Sequence, residues 1–171
     1  MIHLNLGSNL NSKHGSRFDN ISIALNLLLK LKIKIKKISN FFETPSYPNK
    51  SFPKFLNLGV TIEYDNSCFD LLYDITQIEK KLGRIKTKKN DPRIIDIDII
   101  DFNGEIKNMN ELILPHPKCH LRNFVLFPIL QIDPDWSHPI LKKNAHFLIN
   151  KLSQKFRIEI TRLQKNVNIA I

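Results

Sequence analysis

The amino-acid sequence predicts an α+β fold, a ferredoxin-like sandwich in which helices pack on one face of a largely antiparallel sheet. Several short segments alternate apolar and polar residues with the period of a strand, and two longer segments between them repeat apolar residues at helical spacing. With 171 residues, of which 42% are hydrophobic and 25% charged, the chain is long enough to bury a core without disulfides or a structural metal. We therefore expect residues 1–171 to form a single domain.

Strands and helices follow one another in the first part of the chain. Residues 2–6 alternate and predict the first strand, and residues 17–29 have the apolar spacing of a helix. Residues 31–36 alternate Leu or Ile with Lys, which predicts a strand that continues through residues 41–43. Its lysine face is typical of an outer edge, where lysines discourage pairing with another sheet.

A proline-rich loop separates this strand from the next one. Three prolines exclude regular structure from residues 44–53, and loops of this length in compact domains are often functional. Residues 55–63 then predict a strand with Asn57 near its start, whose amide either binds the edge of a heterocycle or forms a turn-side hydrogen bond. Ser67 and Asp70 have the spacing of a capping box and predict the start of the second helix.

The segment Asp96-Ile97-Asp98-Ile99 carries the first chemical signal. In a strand, the period of two places Asp96 and Asp98 on one face, about 6.6 Å apart, and the isoleucines on the other. Two carboxylates at this spacing can hold one or two Mg²⁺ ions, and Arg84 and Arg93 flank them with donors suited to phosphate. Taken alone, however, an Asp-x-Asp pair is more often a solvated sheet face than a metal site.

Weaker signals mark the rest of the chain. Residues 102–105 predict a hairpin turn, His116 lies in a rigid loop between two prolines, and Arg122 opens a short helical or turn segment. Residues 145–152 predict a short helix. Alternating apolar residues over 156–160 predict a final strand.

Charge and cysteine content limit the function classes. The formal net charge of +10 raises nucleic acid or another polyanion as a partner, but Lys, Ile and Asn are abundant throughout, so this evidence is weak. Cys68 and Cys119 are expected to be free thiols, and no Cys/His cluster suggests zinc. The sequence has neither a secretory signal pattern nor an apolar run of membrane-spanning length, and we expect a cytoplasmic monomer.

Six motifs occur in order along the chain, at fitting spacing. They are Leu6-Gly7-Ser8-Asn9-Leu10, Phe42-Glu43-Thr44-Pro45, Phe55-Leu56-Asn57, Ile78-Glu79-x-x-Leu82-Gly83-Arg84, Pro92-Arg93-x-x-Asp96-Ile97-Asp98-Ile99, and Pro115-His116-Pro117 with Arg122-x-Phe124-Val125-Leu126. Together they resemble the 6-hydroxymethyl-7,8-dihydropterin pyrophosphokinase family over about residues 2–140. The segment beyond residue 141 matches no motif.

The resemblance implies a reaction of folate biosynthesis. In it, the β,γ-diphosphate of the co-substrate ATP is transferred to the hydroxymethyl group of the dihydropterin, and AMP is released. Asp96 and Asp98 would be ligands of two Mg²⁺ ions, and catalysis would depend mainly on positioning and charge neutralisation. The resemblance implies Arg84, Arg93, Asp96 and Asp98 as catalytic residues and Glu79, Arg84, Lys86, Arg93, His116 and Arg122 as ATP-binding residues.

The same resemblance implies a pterin pocket. Its residues would be Thr44, Pro45, Tyr47, Phe55, Asn57 and Phe124. The two phenylalanine rings would stack on the flat heterocycle, and Asn57 would pair with polar groups at its edge. The implied partners are two small molecules, ATP and the pterin, with neither nucleic acid nor membrane.

Two other functions remain open from the sequence. The charge and the aromatic residues Phe41, Phe42 and Phe55 would also fit a non-catalytic nucleic-acid-binding module, although two carboxylates repel phosphate unless metal is bound. A family member that binds ligands without turnover would fit the departure at residues 86–91, where Lys86 occupies a position that is often Arg in the family.

Overall fold

The computed structural model describes residues 1–85, 91–165, 167 and 169. Its elements in chain order are β1 (Ile2–Ser8), α1 (Arg17–Lys30), β2 (Lys34–Ile38), β3 (Phe41–Thr44), β4 (Phe55–Glu63), α2 (Cys68–Lys81), β5 (Asp96–Phe102), β6 (Lys107–Asn108), β7 (Ile113–Leu114), α3 (Asn123–Ile132), α4 (Ala145–Lys151), α5 (Gln154–Ile158) and β8 (Thr161–Leu163). None of the described helices has the length and apolar character needed to span a membrane.

One antiparallel sheet organises the fold. Its strand order is β5-β1-β4-β3-β8, and β2 also pairs with β4. β1 therefore lies between β4 and β5, which places Asn5 opposite Gly59 on one side and opposite Asp98 on the other. The predicted α+β class with a largely antiparallel sheet is confirmed.

Helices cover both faces of this sheet. α1 and α2 share a buried cluster with Leu58 and Val60 of β4. Gly59, between these two residues, faces the opposite side, where α3 lies so close that a Cβ on Gly59 would be 2.6 Å from the Cβ of Pro128. The expectation that helices pack on one face is therefore wrong, because α3 is apolar around much of its circumference and its pattern does not identify a face.

The second strand begins later than the alternating lysines predict. Leu31 ends α1, and Lys32 has a φ of 62°, a left-handed conformation that breaks the extended pattern. β2 starts only at Lys34, and β3 is a separate strand rather than its continuation. β2 nevertheless pairs only with β4 among the described residues and exposes its lysines, as expected for a sheet edge.

The predicted final strand over residues 156–160 is wrong. The hydroxyl of Ser153 accepts a hydrogen bond from the Phe156 backbone N–H at 3.4 Å, which caps the helix α5 in this region. The apolar side chain of Ile158 is 72% exposed, so the alternation does not mark a buried strand face. The strand comes later, as β8, and pairs with β3.

The turn after β5 is confirmed, but the hairpin is not. Asn103 and Gly104 both have positive φ, and the backbone N–H of Glu105 donates to the Phe102 carbonyl at 2.9 Å. The next strand, β6, pairs with β7 instead of returning along β5. The capping box of Ser67 and Asp70 is present as predicted.

Candidate active site

A cavity of about 340 Å³ lies between the sheet and the start of α3. Ten residues that the sequence singles out line it, namely Thr44, Pro45, Tyr47, Phe55, Asn57, Arg93, Asp96, Asp98, Arg122 and Phe124. The end of the cavity that contains Asp96 and Asp98 is its acidic end. Glu79 and Arg84 contact β5 at this end, and His116 lies beside Asp98. Lys86 lies outside the described residues.

The acidic end of the cavity holds its charges in pairs. Asp96 lies between two guanidinium groups, with Arg84 Nη1 at 2.8 Å from Oδ1 and Arg93 Nη2 at 2.7 Å from Oδ2. Asp98 has a longer contact, 3.5 Å from Arg122 Nη1. Burial, followed by the neighbouring Asp96 charge, raises the pKa of Asp98 to about 7. A second negative charge is thus unfavourable in this part of the site unless a cation accompanies it.

Glu79 connects α2 to the start of β5. One of its carboxylate oxygens accepts a hydrogen bond from the Ile97 backbone N–H at 2.8 Å and also pairs with Arg84. Burial raises the pKa of Glu79, while Arg84 and the Ile97 N–H favour its charged form. These contacts orient Arg84 and hold β5 in place, so Glu79 supports the cavity from outside its lining.

His116 is held as a neutral ring beside Asp98. Its Nδ1 accepts a hydrogen bond from the Lys118 backbone N–H at 3.1 Å, and its Nε2 lies 3.3 Å from Arg122 Nη1 and 3.9 Å from Asp98 Oδ2. Burial, followed by the Arg122 charge, lowers the pKa of His116 to about 4. At neutral pH, His116 therefore carries no charge.

Two aromatic rings form the apolar part of the cavity, and an arginine lies over each of them. The guanidinium carbon of Arg93 is 5.3 Å from the Phe55 ring centroid, and that of Arg122 is 5.4 Å from the Phe124 centroid. These arginines link the aromatic rings directly to the carboxylate pair. A flat molecule bound on the rings would have its edge close to these charged groups.

Asn57 contributes a buried amide to the same wall. Its Nδ2 donates to Thr44 Oγ1 at 3.2 Å across the β3–β4 pair. Gly7 faces it from β1, where an added Cβ would be 3.3 Å from Asn57 Oδ1 and 3.6 Å from the Phe55 ring. The absence of a side chain at residue 7 therefore leaves this part of the cavity open.

Sequence reasoning missed several lining residues, including Asn5, Asn123 and Phe156. Phe156 belongs to the segment that matched no motif, yet its ring centroid is 5.0 Å from that of Tyr47, and its carbonyl accepts a hydrogen bond from Asn123 Nδ2 at 2.6 Å. No local signal in the sequence connects residue 156 to the cavity. The position of Asn5 could have been found, since it alternates with the buried Leu4 and Leu6.

The fold also brings together a Cys/His group that sequence spacing did not suggest. Potential ligand atoms of Cys119, His120 and His138 lie within 4.8 Å of one another. His138 Nδ1, however, accepts hydrogen bonds from two backbone N–H groups, those of Ile140 and Leu141, at 3.2 Å each. The proton of that ring therefore lies on Nε2, which cannot bind a metal until it loses this proton. Cys119 is free and buried, as is Cys68, which confirms the expected thiols.

Comparison with protein families gives one match over most of the chain. Residues 3–134 match the family described as 7,8-dihydro-6-hydroxymethylpterin-pyrophosphokinase (HPPK). The chain is 34% identical over 144 residues to the 2-amino-4-hydroxy-6-hydroxymethyldihydropteridine pyrophosphokinase of Aquifex aeolicus, which covers 83% of this chain and 86% of that protein. The Bacillus subtilis protein of the same name is 35% identical over 133 residues, 77% of either chain.

Longer proteins also match. The chain is 36% identical over 152 residues to the folic acid synthesis protein FOL1 of Dictyostelium discoideum, which covers 89% of this chain but only 22% of that protein. The chain thus spans about a fifth of the length of the folic acid synthesis proteins that it matches. Among solved structures, HPPK-DHPS of Plasmodium falciparum with pteroate superposes with a TM-score of 0.74 at 17% identity, over 94% of this chain and 47% of that one. This structural likeness supports the fold.

Proposed function

Because the chain belongs to the 7,8-dihydro-6-hydroxymethylpterin-pyrophosphokinase family, we propose that it transfers diphosphate from ATP to the hydroxymethyl group of 6-hydroxymethyl-7,8-dihydropterin and releases AMP. The hydroxymethyl oxygen forms a bond to the β-phosphorus, the bond between that phosphorus and the α,β-bridging oxygen breaks, and the hydroxyl proton passes to solvent. The product is a pterin diphosphate. This reaction places the protein in folate biosynthesis.

One observation carries the proposal. A single cavity contains both a pair of aromatic rings, Phe55 and Phe124, and a pair of carboxylates with arginine partners, Asp96 and Asp98. Rings suit a flat heterocycle, and arginines suit a polyphosphate. The two substrates of the proposed reaction have these two chemistries, and their reacting atoms must meet where the two halves of the cavity join.

The carboxylate pair is the proposed binding site for two Mg²⁺ ions. Carboxylate oxygens are the protein ligands that Mg²⁺ prefers, and Asp96 and Asp98 share one face of β5 within the cavity. The raised pKa of Asp98 fits this assignment, because a cation would relieve the repulsion that burial and Asp96 impose. When bound, Mg²⁺ neutralises charge on the triphosphate and polarises the phosphoryl group.

Arginines and a neutral histidine are proposed to bind the triphosphate. Arg84, Arg93 and Arg122 now contact carboxylates, and their forked donors match phosphate oxygens equally well. His116 adds an uncharged polar group on the Asp98 side, with its Nε2 next to Arg122. Lys86, which the resemblance also implies, remains a proposal from the sequence alone.

The pterin is proposed to lie between Phe55 and Phe124. Its polar edge would pair with the amide of Asn57, whose side chain is oriented by Thr44. Backbone groups near Pro45 and Tyr47 would complete that edge, since both residues line the cavity. Bound this way, the ring excludes water from the reacting end, which strengthens the electrostatic contacts there.

A direct assay tests the proposed reaction. Purified protein incubated with ATP, Mg²⁺ and the reduced pterin should release AMP and not ADP, and Asp96→Ala should lower the rate by about 100-fold or more. Asp65→Ala is the matched control, because Asp65 is exposed and lies outside the cavity. AMP release no faster than in the Asp96→Ala variant would contradict the proposal. If an ATP analogue still bound in that case, the protein would be a family member that binds without turnover.

A further inference from the structure

Asn5 forms part of the cavity floor, next to the carboxylate pair. It is the residue of β1 that pairs with Asp98 of β5, and on its other side it pairs with Gly59 of β4. Its neighbours Leu4 and Leu6 point into the cluster under α1 and α2, so Asn5 points to the opposite side, into the cavity. The strand geometry therefore brings an uncharged amide beside Asp98.

The acceptor of this amide has no partner in the part of the chain that the structure describes. Asn5 is only 5% exposed, and its Oδ1 is buried. No described residue donates a hydrogen bond to this oxygen. Folded proteins rarely leave such an atom unpaired, because it has lost its contact with water and gained nothing in return. Neither neighbour across the strands satisfies it, since Gly59 has no side chain and Asp98 forms no hydrogen bond with Asn5 Oδ1.

The position of Asn5 relative to Asn57 indicates what the acceptor would meet. Asn57 pairs with Gly7 of β1, and Asn5 lies two residues away on the same face, about 7 Å along the strand. That separation is comparable to the length of a two-ring heterocycle. A ring held at its polar edge by Asn57 would therefore direct its substituent toward Asp98 and Asn5.

We propose that Asn5 Oδ1 accepts a hydrogen bond from the hydroxyl of the pterin's hydroxymethyl group and orients its oxygen toward ATP. This assignment rests on the proposed function and adds a substrate-contacting residue to it. The amide removes no proton. It selects the rotamer of the hydroxymethyl group and thereby distinguishes this substrate from a pterin whose side chain cannot donate.

Binding measurements with two pterins test the assignment without ATP or Mg²⁺. The dissociation constants of 6-hydroxymethyl-7,8-dihydropterin and 6-methyl-7,8-dihydropterin are measured by calorimetry for the wild type, Asn5→Ala and Asn5→Leu. The wild type should prefer the hydroxymethyl compound by about threefold to tenfold, the usual range for one neutral hydrogen bond. Both variants should lose this preference, and Asn5→Leu, which refills the space, covers the case in which Asn5→Ala folds poorly.

Thermal unfolding of the free protein separates this role from a structural one. Removing an unpaired acceptor should leave the melting temperature of the Asn5 variants unchanged or higher. Asn20→Ala is the matched control, because Asn20 is also buried but its amide bonds to Ser12 and Leu10. This control should lose stability and keep the preference between the two pterins.

The outcomes are distinct. A wild-type preference that persists in both Asn5 variants overturns the assignment while leaving the proposed function intact. If neither pterin binds the wild type, this assignment fails, and the proposed function fails with it only if the wild type also releases no AMP from ATP, Mg²⁺ and the reduced pterin. A preference that is present in the wild type and in Asn20→Ala but absent from the Asn5 variants supports it.

Discussion

Ion pairs between individual residues determine how the candidate site can bind ATP. Arg84 and Arg93 both contact Asp96, and Arg122 contacts Asp98, so none of these three guanidinium groups is without an anionic partner. A triphosphate would therefore have to replace carboxylates as the hydrogen-bond partner of these arginines. Its affinity reflects the difference between two sets of charge-assisted hydrogen bonds, which is smaller than either set alone.

His3 gives a prediction for the pH dependence of stability. It lies on the sheet face that carries Trp136, with Nε2 at 2.8 Å from Asp133 Oδ2, and burial lowers its pKa below 6.5 despite the nearby Asp133 and Asp101. Because this pKa is lowered in the folded protein, His3 of the unfolded chain takes up a proton first as the pH is lowered. The contribution of neutral His3 to the free energy of unfolding is thus complete above about pH 6.5 and is lost as the pH falls.

Urea unfolding of His3→Gln at about pH 7.5 and about pH 5.5 measures this contribution. The variant should be less stable than the wild type at the higher pH, because it loses the packing against Trp136. The stability difference should shrink by up to about 1 kcal/mol at the lower pH, where only the wild type carries the cost of a neutral buried imidazole. His146→Gln, an exposed position, is the control. A difference that stays constant or grows on acidification would contradict the prediction.

The period of a strand was enough to find the carboxylate pair. Asp96 and Asp98 share a face because the isoleucines between and beside them belong in the core, and this holds in the structure. The same logic could have placed Asn5 on the cavity side of β1. It could not reveal that Asn5 lies beside Asp98, because the register between two strands far apart in sequence does not follow from local pattern.

At the level of elements, α3 depends on a missing side chain in β4. A Cβ on Gly59 would lie 2.6 Å from the Cβ of Pro128, a rigid ring that cannot move without the helix. Gly59→Ala should therefore push α3 away from the sheet and destabilise the protein by about 1–3 kcal/mol. Because Arg122 and Phe124 stand at the start of α3, pterin affinity should fall as well.

Gly104→Ala is the matched control for this prediction. Gly104 has a φ of 76° and open space around its Cα, so an added Cβ is strained but meets no neighbour. The control should lose about 1–2 kcal/mol of stability and keep its pterin affinity. Unfolding curves and pterin titrations of both variants measure the two effects. If the pterin affinity of Gly59→Ala equalled that of Gly104→Ala, the position of α3 would not depend on this close approach.

The C-terminal segment makes a second prediction at this level. Phe156 of α5 lines the cavity and packs on Tyr47, while Glu159 accepts hydrogen bonds from Tyr47 and Lys50 of the proline-rich loop. α5 therefore holds the loop that we propose contacts the pterin edge. Phe156→Ala should weaken pterin binding by about threefold to tenfold, about 0.7–1.4 kcal/mol.

Phe147→Ala on the neighbouring α4 is the appropriate comparison. Its ring is 40% exposed and contacts lysine side chains rather than the cavity. Fluorescence titration with the pterin should show little change for this variant. Equal losses of pterin affinity in the two variants would indicate a general effect of removing an aromatic ring, and would contradict a specific role for Phe156.

Elements with two independent local signals were predicted better than those with one. α2 has both a capping box and a continuous apolar stripe, and the structure contains it close to where the sequence indicates. The segment at 156–160 had only alternation as its signal, which three apolar residues can show by chance. In the structure, Ser153 caps a helix in this region. The position of α3 on the second face required tertiary packing against Gly59 and had no local signal.

At the scale of the whole molecule, one sheet is shared by two hydrophobic clusters. The first cluster lies under α1 and α2, and the second lies under α3 and α4. β5 contributes to both, because successive side chains of a strand point to opposite faces: Ile97 and Ile99 belong to the first cluster and Ile100 to the second. Neither cluster can lose its packing without exposing strands on which the other depends.

This arrangement predicts a single cooperative unfolding transition. Trp136, the only tryptophan in the sequence, is 5% exposed in the second cluster and donates to Asp101 Oδ2 at 2.8 Å, so its fluorescence reports that face. Far-UV circular dichroism is dominated by helices, of which α1 and α2, on the opposite face, are the longest described. Urea titrations followed by the two signals should coincide, as expected for one domain over residues 1–171. Fluorescence that changes at a lower urea concentration than the dichroism would instead divide the chain into two folding units.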